Sequence, residues 1–256
     1  MKTFAAATLI LASSAMANDC NINLQGEMNL EQGILTLKTD NRTLQLDGRT
    51  AYLDSQMLHL NNEQADLLNN YHKEVTLLAP KVADIALEAV GLASEGISRA
   101  FGGLLGDDDA LVLDLGTEMA DLRHQLQQEF YAEDGSIRFS SHHFDEDGIV
   151  VNSFENEFEQ KIEQAVERSM GRILIAVGKE MLFSGGDMQA FEARMENFGE
   201  QIEHEMEAKA AVLERKAEHL CYDLTKIDQL ETRINQSIPE LEELDMVRVS
   251  RSVHSM

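Results

Sequence analysis

The feature that most constrains this chain is a helical repeat of apolar residues near its C-terminal end. From residue 188 to residue 238 these residues recur mostly three or four positions apart, which is the spacing of one helix face. They are Met188, Phe191, Met195, Phe198, Ile202, Met206, Ala210, Leu213, Ala217, Leu220, Leu224, Ile227, Ile234 and Ile238. Charged residues fill most positions between them, so the pattern predicts one long amphipathic helix.

A preceding amphipathic stretch predicts an antiparallel partner for this helix. Its shared face consists of Phe154, Phe158, Ile162, Ala165, Ser169, Ile173, Val177 and Met181. Asn152 suits an N-cap and Asp187 suits the N-cap of the second helix. Gly185 and Gly186 favour the end of the first helix, because glycine tolerates the left-handed conformation that ends a helix. We therefore expect a helical hairpin over residues 152–238.

The period of the apolar residues changes to two near the N-terminus. The alternating pairs are Ile22 and Leu24, Met28 and Leu30, Leu35 and Leu37, Leu44 and Leu46, and Leu58 and Leu60. Turn-forming pairs such as Gln32 with Gly33 separate these runs. This predicts a small antiparallel meander with one apolar face. Helices must cover that face, because a sheet of this size cannot bury enough surface alone.

The middle of the chain favours further helices. Asn61 or Asn62 suits an N-cap, and Pro80 is expected to end one helix and open the next, since proline suits a first turn. Residues 82–106 are rich in alanine, serine and glycine, which would let a neighbouring element approach closely. A membrane-packing or pore-forming role is the alternative for residues 96–106, although charged residues interrupt the segment.

The N-terminal residues predict export. Lys2 precedes an apolar run over residues 4–12, and Ala15, Met16 and Ala17 form a small-x-small site of the kind that signal peptidase cleaves. We expect cleavage after Ala17 and a periplasmic mature protein. The apolar run is too short to span a bilayer, and no other uncharged run reaches the necessary length of about 18 residues.

These patterns together predict an α+β fold that is predominantly α-helical. A small N-terminal antiparallel β-meander is expected to pack against long antiparallel helices that include the hairpin. After the signal peptide, 1–17, one exported domain would cover 18–256. Its parts are a β-rich region at 18–60, helices at 61–131, two possible short strands within 137–151, the hairpin at 152–238, and a tail at 239–256 that includes a possible last strand.

The two cysteines of the mature chain, Cys20 and Cys221, are predicted to form a disulfide. Export places them in an oxidising compartment, where paired thiols are usually joined. Two unpaired buried cysteines are the alternative. A redox enzyme is disfavoured because the sequence contains no C-x-x-C motif.

The charge balance excludes some partners. The chain has 21 basic and 46 acidic residues and a formal net charge of −25. Such a field repels phosphate backbones and anionic lipid headgroups, so neither nucleic acid nor a membrane surface is expected as a partner. Binding of a divalent cation or of a basic partner remains an alternative. In a further alternative, the negative charge only keeps the protein soluble.

The order of these parts resembles a known family. A signal peptide followed closely by a cysteine, a short β region, a proline-opened segment of small residues at 80–90, and a helical hairpin with a second cysteine resemble the YggN-like proteins. These are uncharacterised exported proteins of gamma-proteobacteria. The resemblance covers nearly the whole mature chain. It implies a periplasmic location and a fold, and it carries over no activity and no functional residue.

No catalytic motif supports an enzyme, and no cofactor is expected. The sequence has no G-x-S-x-G elbow, no phosphate loop and no H-E-x-x-H zinc motif. Ligand-type side chains do gather at His142, His143, Asp145, Glu146 and Asp147, where imidazole and carboxylate would suit zinc. The spacing falls short of an EF-hand, and a solvated acidic turn is the simpler interpretation.

Two hypotheses about function follow. The first is a non-catalytic envelope protein, with a binding or structural role, that binds another protein or an unfolded client through apolar surface on the hairpin, or associates with itself there. Flexible methionines would provide adaptable contact there, namely Met170, Met181, Met188, Met195 and Met206. Filling of the core is the alternative role for these methionines. The second hypothesis is a periplasmic metal or cation binder that uses residues 142–147.

Overall fold

The computed structural model describes residues 20–39, 41–141, 144–145, 148–149, 163–164, 167, 170–179, 182–183, 187–242 and 244–251. The predicted signal peptide, the N-cap at Asn152 and the glycines Gly185 and Gly186 lie outside the described residues. So does most of the first arm of the predicted hairpin.

The described chain is predominantly helical with antiparallel sheets, which confirms the predicted fold class. Its elements are β1 (Cys20–Leu24), β2 (Glu27–Glu31), β3 (Ile34–Lys38), β4 (Thr43–Asp47), β5 (Thr50–Leu53), β6 (Gln56–Met57), α1 (Asn62–Leu105), α2 (Ala110–Phe130), β7 (Ile137–Ser140), β8 (Phe144–Asp145), β9 (Gly148–Ile149), α3 (Met188–Ser237), a 3-10 turn (Pro239–Leu241) and β10 (Val247–Arg251).

The helix starts follow from their capping residues. The Asn61 side chain accepts from the backbone N–H of Gln64, and the Gln64 side chain accepts from the N–H of Asn61, which is a complete capping box. The Asp187 side chain accepts from the N–H groups at the start of α3. Both predicted helix starts are confirmed, and α3 confirms the long amphipathic helix.

The predicted break at Pro80 is wrong, because α1 is one helix of 44 residues with Pro80 inside it. Proline removes one N–H and strains a helix interior. Here Leu78, Ala79, Val82 and Ala83 are all buried, so packing on both sides of the proline holds the helix together. The burial of its neighbours stabilises the helix by more than the proline destabilises it.

α1 and α3 lie side by side and antiparallel. Near one end the Gln64 side chain donates to the backbone carbonyl of Ser237 at 2.7 Å, and near the other Arg99 pairs with Glu205 at 2.8 Å. The ion pairs between these ends are Lys81 with Asp223, Glu88 with Lys216, and Glu95 with Lys209. At 1.5 Å per residue the paired stretch is roughly 50 to 60 Å long.

The small residues of α1 allow this close pairing, as the sequence predicted. A Cβ added at Gly103 would lie 2.3 Å from the ring of Phe198. Such a contact is too short for any side chain, so the two helices approach here because α1 has only a hydrogen at that position.

Six strands form the main sheet in the antiparallel order β6-β5-β4-β3-β2-β7. Alternate residues of the meander are buried against the helices, including Leu35, Leu37, Leu44 and Leu46, as the two-residue period predicted. The last predicted strand, at Leu58 and Leu60, is wrong. The meander ends instead with β5 and β6, and residues 58–60 belong to no strand. β7 joins the other edge of the sheet beside β2.

The first predicted strand of the meander belongs elsewhere. β1 pairs with the C-terminal strand β10 in a separate two-stranded ribbon, with Ile22 opposite Val249 and Leu24 opposite Val247. The possible last strand is therefore confirmed, and it joins the two ends of the described chain. The short strands within 137–151 are confirmed as β7 and β9, and β9 pairs with β8.

Candidate functional site

The β1-β10 ribbon is attached to α3 by the predicted disulfide, which is confirmed. Cys20 and Cys221 are bonded with their Cα atoms 6.0 Å apart and 201 positions apart in sequence. Cys221 is buried on α3, so the bridge joins Cys20, the first described residue, to the buried face of that helix.

A buried carboxyl group on α3 joins the ribbon to α1. Glu231 is only 1% exposed. Its Oε1 accepts from the Tyr71 hydroxyl at 2.6 Å and its Oε2 accepts from the backbone N–H of Val247 at 2.9 Å. Burial raises the pKa of Glu231 to about 8, although hydrogen bonds from Tyr71 and Val247 oppose the shift. One acidic side chain thus links α1, α3 and β10.

Further polar side chains of α3 bind the C-terminal strand and the residues just before it. Asp228 accepts from the N–H of Val249 at 3.2 Å, and Asn235 donates to the carbonyl of Leu244 at 2.7 Å. The N–H groups of Val247 and Val249 therefore meet carboxylates on α3, while β1 pairs with the other edge. This arrangement protects a strand edge that would otherwise be open to another chain.

Glu231 was not predicted as a functional residue, although its position in the sequence carries a signal. The apolar repeat of α3 skips from Ile227 to Ile234, and Glu231 occupies the missing position on the same face. A polar residue on an otherwise apolar helix face indicates a buried partner. The partner itself, Tyr71, lies 160 positions away and has no sequence pattern that identifies it.

The cavity beneath the ribbon is too small to suggest a ligand site. It has a volume of about 40 Å³ and is lined only by apolar residues, among them Ile22, Leu24, Ile227 and Val247. Small-molecule sites usually exceed about 300 Å³. We conclude that this cavity is part of the packed apolar core.

A different surface is exposed on the described part of the predicted first arm. Residues 170–179 are helical, and Ile173 packs against Leu111 and Leu115 of α2. Arg172 forms an ion pair with Asp109 at 3.4 Å. These contacts fix which side of the segment faces the rest of the protein.

The opposite side of this segment is apolar and exposed. Leu174, Ile175 and Leu182 are 66%, 60% and 78% exposed. Gly171 and Gly178 lie on the same side, and a Cβ built on either would meet no other heavy atom within 4 Å. We call these five residues the apolar helix face, and it is the candidate binding site.

The match with a protein family covers this architecture. The chain matches the family described as "Protein of unknown function (DUF2884)" over residues 20–247. The chain belongs to this family. No curated protein and no solved structure matches it.

Membership of the DUF2884 family agrees with the predicted resemblance in one respect, which is that both families are uncharacterised. The resemblance was to an uncharacterised family, and DUF2884 is one. The YggN-like name and the gamma-proteobacterial origin stay predictions. The family description assigns no activity, so any function of this chain rests on its own residues.

The methionines of the binding hypothesis are divided by the structure. Met170 is 48% exposed, beside the apolar helix face. Met195 and Met206 are partly buried, and Met206 lies near Gly96 of α1, which fits core filling. The side chains of Met181 and Met188 lie outside the described residues. Leu174, Ile175 and Leu182 were not identified from the sequence as contact residues.

The side chains of the predicted cation cluster lie outside the described residues. His142, His143, Glu146 and Asp147 lie outside the described residues, and only the backbone of Asp145 is described. Within the parts of the chain that are described, no three His, Cys, Asp or Glu side chains gather as a metal site would require. Cation binding stays a prediction.

A helix that crosses a bilayer needs about 18 or more consecutive, mainly apolar residues. None of the helices in the described chain contains a stretch that is both long and apolar enough to do so.

Proposed function

We propose that this chain is an exported, periplasmic and non-catalytic envelope protein that binds another protein through the apolar helix face. The observation that carries the proposal is a concentration of exposed apolar side chains. Five of the twelve large apolar residues exposed in the described chain lie between residues 170 and 183. Single exposed apolar residues are ordinary, whereas grouped ones mark interaction surfaces.

The exposed side of the segment is also free of charge over its central part. Charged residues surround helices that only face water, and the exposed face of α3 is of that kind, with Glu192, Glu200 and Glu214 among its residues. Leu174, Ile175 and Leu182 replace such charges on the apolar helix face. Water contact of these side chains is unfavourable, and a partner would remove it.

The proposal of a periplasmic location rests on the signal-like residues 1–17 and on the disulfide. A Cys20–Cys221 bridge suits an oxidising compartment, because the cytosol keeps thiols reduced. Osmotic-shock fractionation with intact-mass measurement of the mature chain tests it. A cytosolic chain that keeps residues 1–17 would contradict this part of the proposal.

The absence of catalysis is proposed on two grounds. The sequence contains none of the catalytic motifs considered above. The carboxylate with the most strongly shifted pKa among the acids, Glu231, is buried and already accepts hydrogen bonds from Tyr71 and Val247, so no substrate can reach it without opening the fold.

Crosslinking in the cell tests the binding proposal. A photo-crosslinking residue placed at Leu174 or Leu182 should capture a partner protein, whereas the same residue at Glu200 or Glu214 should not. Leu174→Ser and Ile175→Ser should weaken capture from Leu182 without lowering the melting temperature, because both side chains are exposed.

Val212→Ser provides the matched control for these substitutions. Val212 is an apolar residue that is 46% exposed on α3, away from the apolar helix face in sequence. The proposal is wrong if neither Leu174 nor Leu182 captures any protein, or if Val212→Ser weakens capture as much as Leu174→Ser does.

A further inference from the structure

The apolar helix face continues toward the N-terminus into acidic residues. Glu163 and Glu167 are helical and exposed. Glu163, Glu167 and Gly171 are each helical and are separated by steps of four, which is the spacing of one helix face. The line then continues through Leu174, Ile175, Gly178 and Leu182. It is acidic at its first end and apolar beyond.

The neighbouring surface has the same sign of charge. The ion pair of Arg172 with Asp109 places this segment beside the turn between α1 and α2. Asp107, Asp108 and Asp114 are exposed there. Arg172 is already paired, and Lys179 lies toward the opposite end of the line from Glu163. The end of the face near Glu163 therefore favours a positively charged group.

The glycines give the face a shape that suits another helix. Gly171 and Gly178 stand seven positions apart, two helical turns, and leave gaps on either side of Leu174 and Ile175. Side chains of a facing helix can enter such gaps as ridges enter grooves. A flat or extended partner would leave them empty.

We propose that the apolar helix face binds an amphipathic helix of a partner protein, with lysine or arginine residues at the end of its apolar stripe set against Glu163 and Glu167. This inference rests on the proposed function and names the class of partner. A second copy of the chain is a poorer occupant, because two copies that each carry a formal charge of −25 repel one another. Anionic lipid is disfavoured for the same reason.

The test uses the full mature chain and two matched synthetic peptides. Both peptides are helical with the same leucine stripe; one has two lysines at one end, and the other has two glutamates there. Fluorescence anisotropy at low salt measures their dissociation constants. Because one exposed ion pair changes an equilibrium by up to about fivefold, the lysine peptide should bind about threefold to tenfold more tightly.

Charge reversal in the protein separates this inference from the proposed function. The double variant Glu163→Lys with Glu167→Lys should reverse the preference between the peptides, while Glu192→Lys with Glu196→Lys on α3 should leave it unchanged. Leu174→Ser should weaken both peptides equally. High salt should remove the preference between them, because screening acts on exposed charges.

Each other outcome has a defined meaning. Equal binding of the two peptides, with crosslinking from Leu174 intact, overturns the basic-helix inference and leaves the proposed function standing. Crosslinks only between copies of this chain, or flotation with anionic vesicles that Leu174→Ser abolishes, overturn the inference in favour of self-assembly or of a lipid surface. Loss of all capture and all peptide binding overturns both proposals.

Discussion

Glu231 shows how one residue on an apolar face can organise its surroundings. Burial is the largest cause that raises its pKa, from an ordinary 4.5 to about 8, and the nearby Asp245 raises it further. The hydrogen bonds from Tyr71 and the N–H of Val247 act in the opposite direction. Burial and the proximity of Glu231 also raise the pKa of Tyr71, so this hydroxyl remains a donor throughout the ordinary pH range.

The shift at Glu231 predicts a stability that falls as the pH rises. The folded pKa exceeds the unfolded one, so the folded state binds the proton more tightly. The contribution is fully present below about pH 4.5 and is lost as the pH rises through about 8. Glu231→Gln cannot ionise, so between pH 5 and pH 9 the native chain should lose about 2 to 4 kcal/mol of stability that the variant does not lose.

Urea unfolding of both chains at pH 5 and at pH 9 measures this difference. Glu242→Gln is the matched control, because Glu242 is exposed near the same end of α3 and should change stability little at either pH. An equal pH dependence in the native chain and in Glu231→Gln would show that Glu231 does not carry the effect.

At the scale of elements, the continuity of α1 depends on its neighbours. Proline within a helix costs about 3 kcal/mol relative to alanine, yet Leu78, Ala79, Val82 and Ala83 are buried around it. Tyr131 also donates to Asp84 at 3.0 Å, on the turn after Pro80. A break in α1 at Pro80 would expose these buried residues, so the continuous helix has the lower free energy.

Pro80→Ala distinguishes a continuous helix from two helices. In a continuous α1 the alanine restores a donor to the carbonyl of Thr76 and should raise the free energy of unfolding by about 1 to 3 kcal/mol. If Pro80 opened a second helix, the change would be neutral or slightly destabilising, because proline suits a first turn. Chemical denaturation gives the sign.

Pro239→Ala is the control for that prediction. Pro239 stands in the first turn of the 3-10 segment, where its missing N–H is not needed. This substitution should therefore be neutral or slightly destabilising. A similar gain in stability at both prolines would indicate a general effect of losing proline and would contradict the argument about α1.

At the scale of the whole molecule, the two ends of the described chain meet on one helix. β1 and β10 form a ribbon that the disulfide and the carboxylates of Asp228 and Glu231 attach to α3. The helical body extends away from this end as the antiparallel pair α1 and α3. The apolar helix face lies beside the α1-α2 turn, which is the end of α1 opposite to its contact with Ser237.

Removing the disulfide should loosen the ribbon before the main sheet. A loop of this length gives a chain-entropy estimate of about 5 kcal/mol as an upper limit, and measured values are commonly about 2 to 4 kcal/mol. Cys20→Ala with Cys221→Ala should lower the urea midpoint accordingly. Hydrogen exchange should speed up at Val247 and Val249, while Leu35 and Leu46 of the main sheet remain protected.

A reducing agent supplies the control for the disulfide prediction. It should destabilise the native chain and leave the double alanine variant unchanged. Uniform loss of protection across β1, β10 and the main sheet would show that the bridge stabilises the whole fold and not the ribbon in particular.

The periodicity of the chain was enough to predict the kinds of elements and most of their positions. α3 from its cap at Asp187, the meander around Leu35 to Leu46, and the predominantly helical fold all follow from which residues repeat and at what spacing. The disulfide could also be predicted, because Cys20 and Cys221 are the two cysteines of the whole sequence.

The pairing of those elements depended on contacts between distant parts of the chain. A repeat shows that a face is apolar and does not show which other face covers it, so the sequence did not indicate that α3 lies along α1, or that β1 pairs with β10. The same limit hid the partner of Glu231 and the continuity of α1 at Pro80. In each case burial against residues far along the chain contributes more free energy than the local preference does.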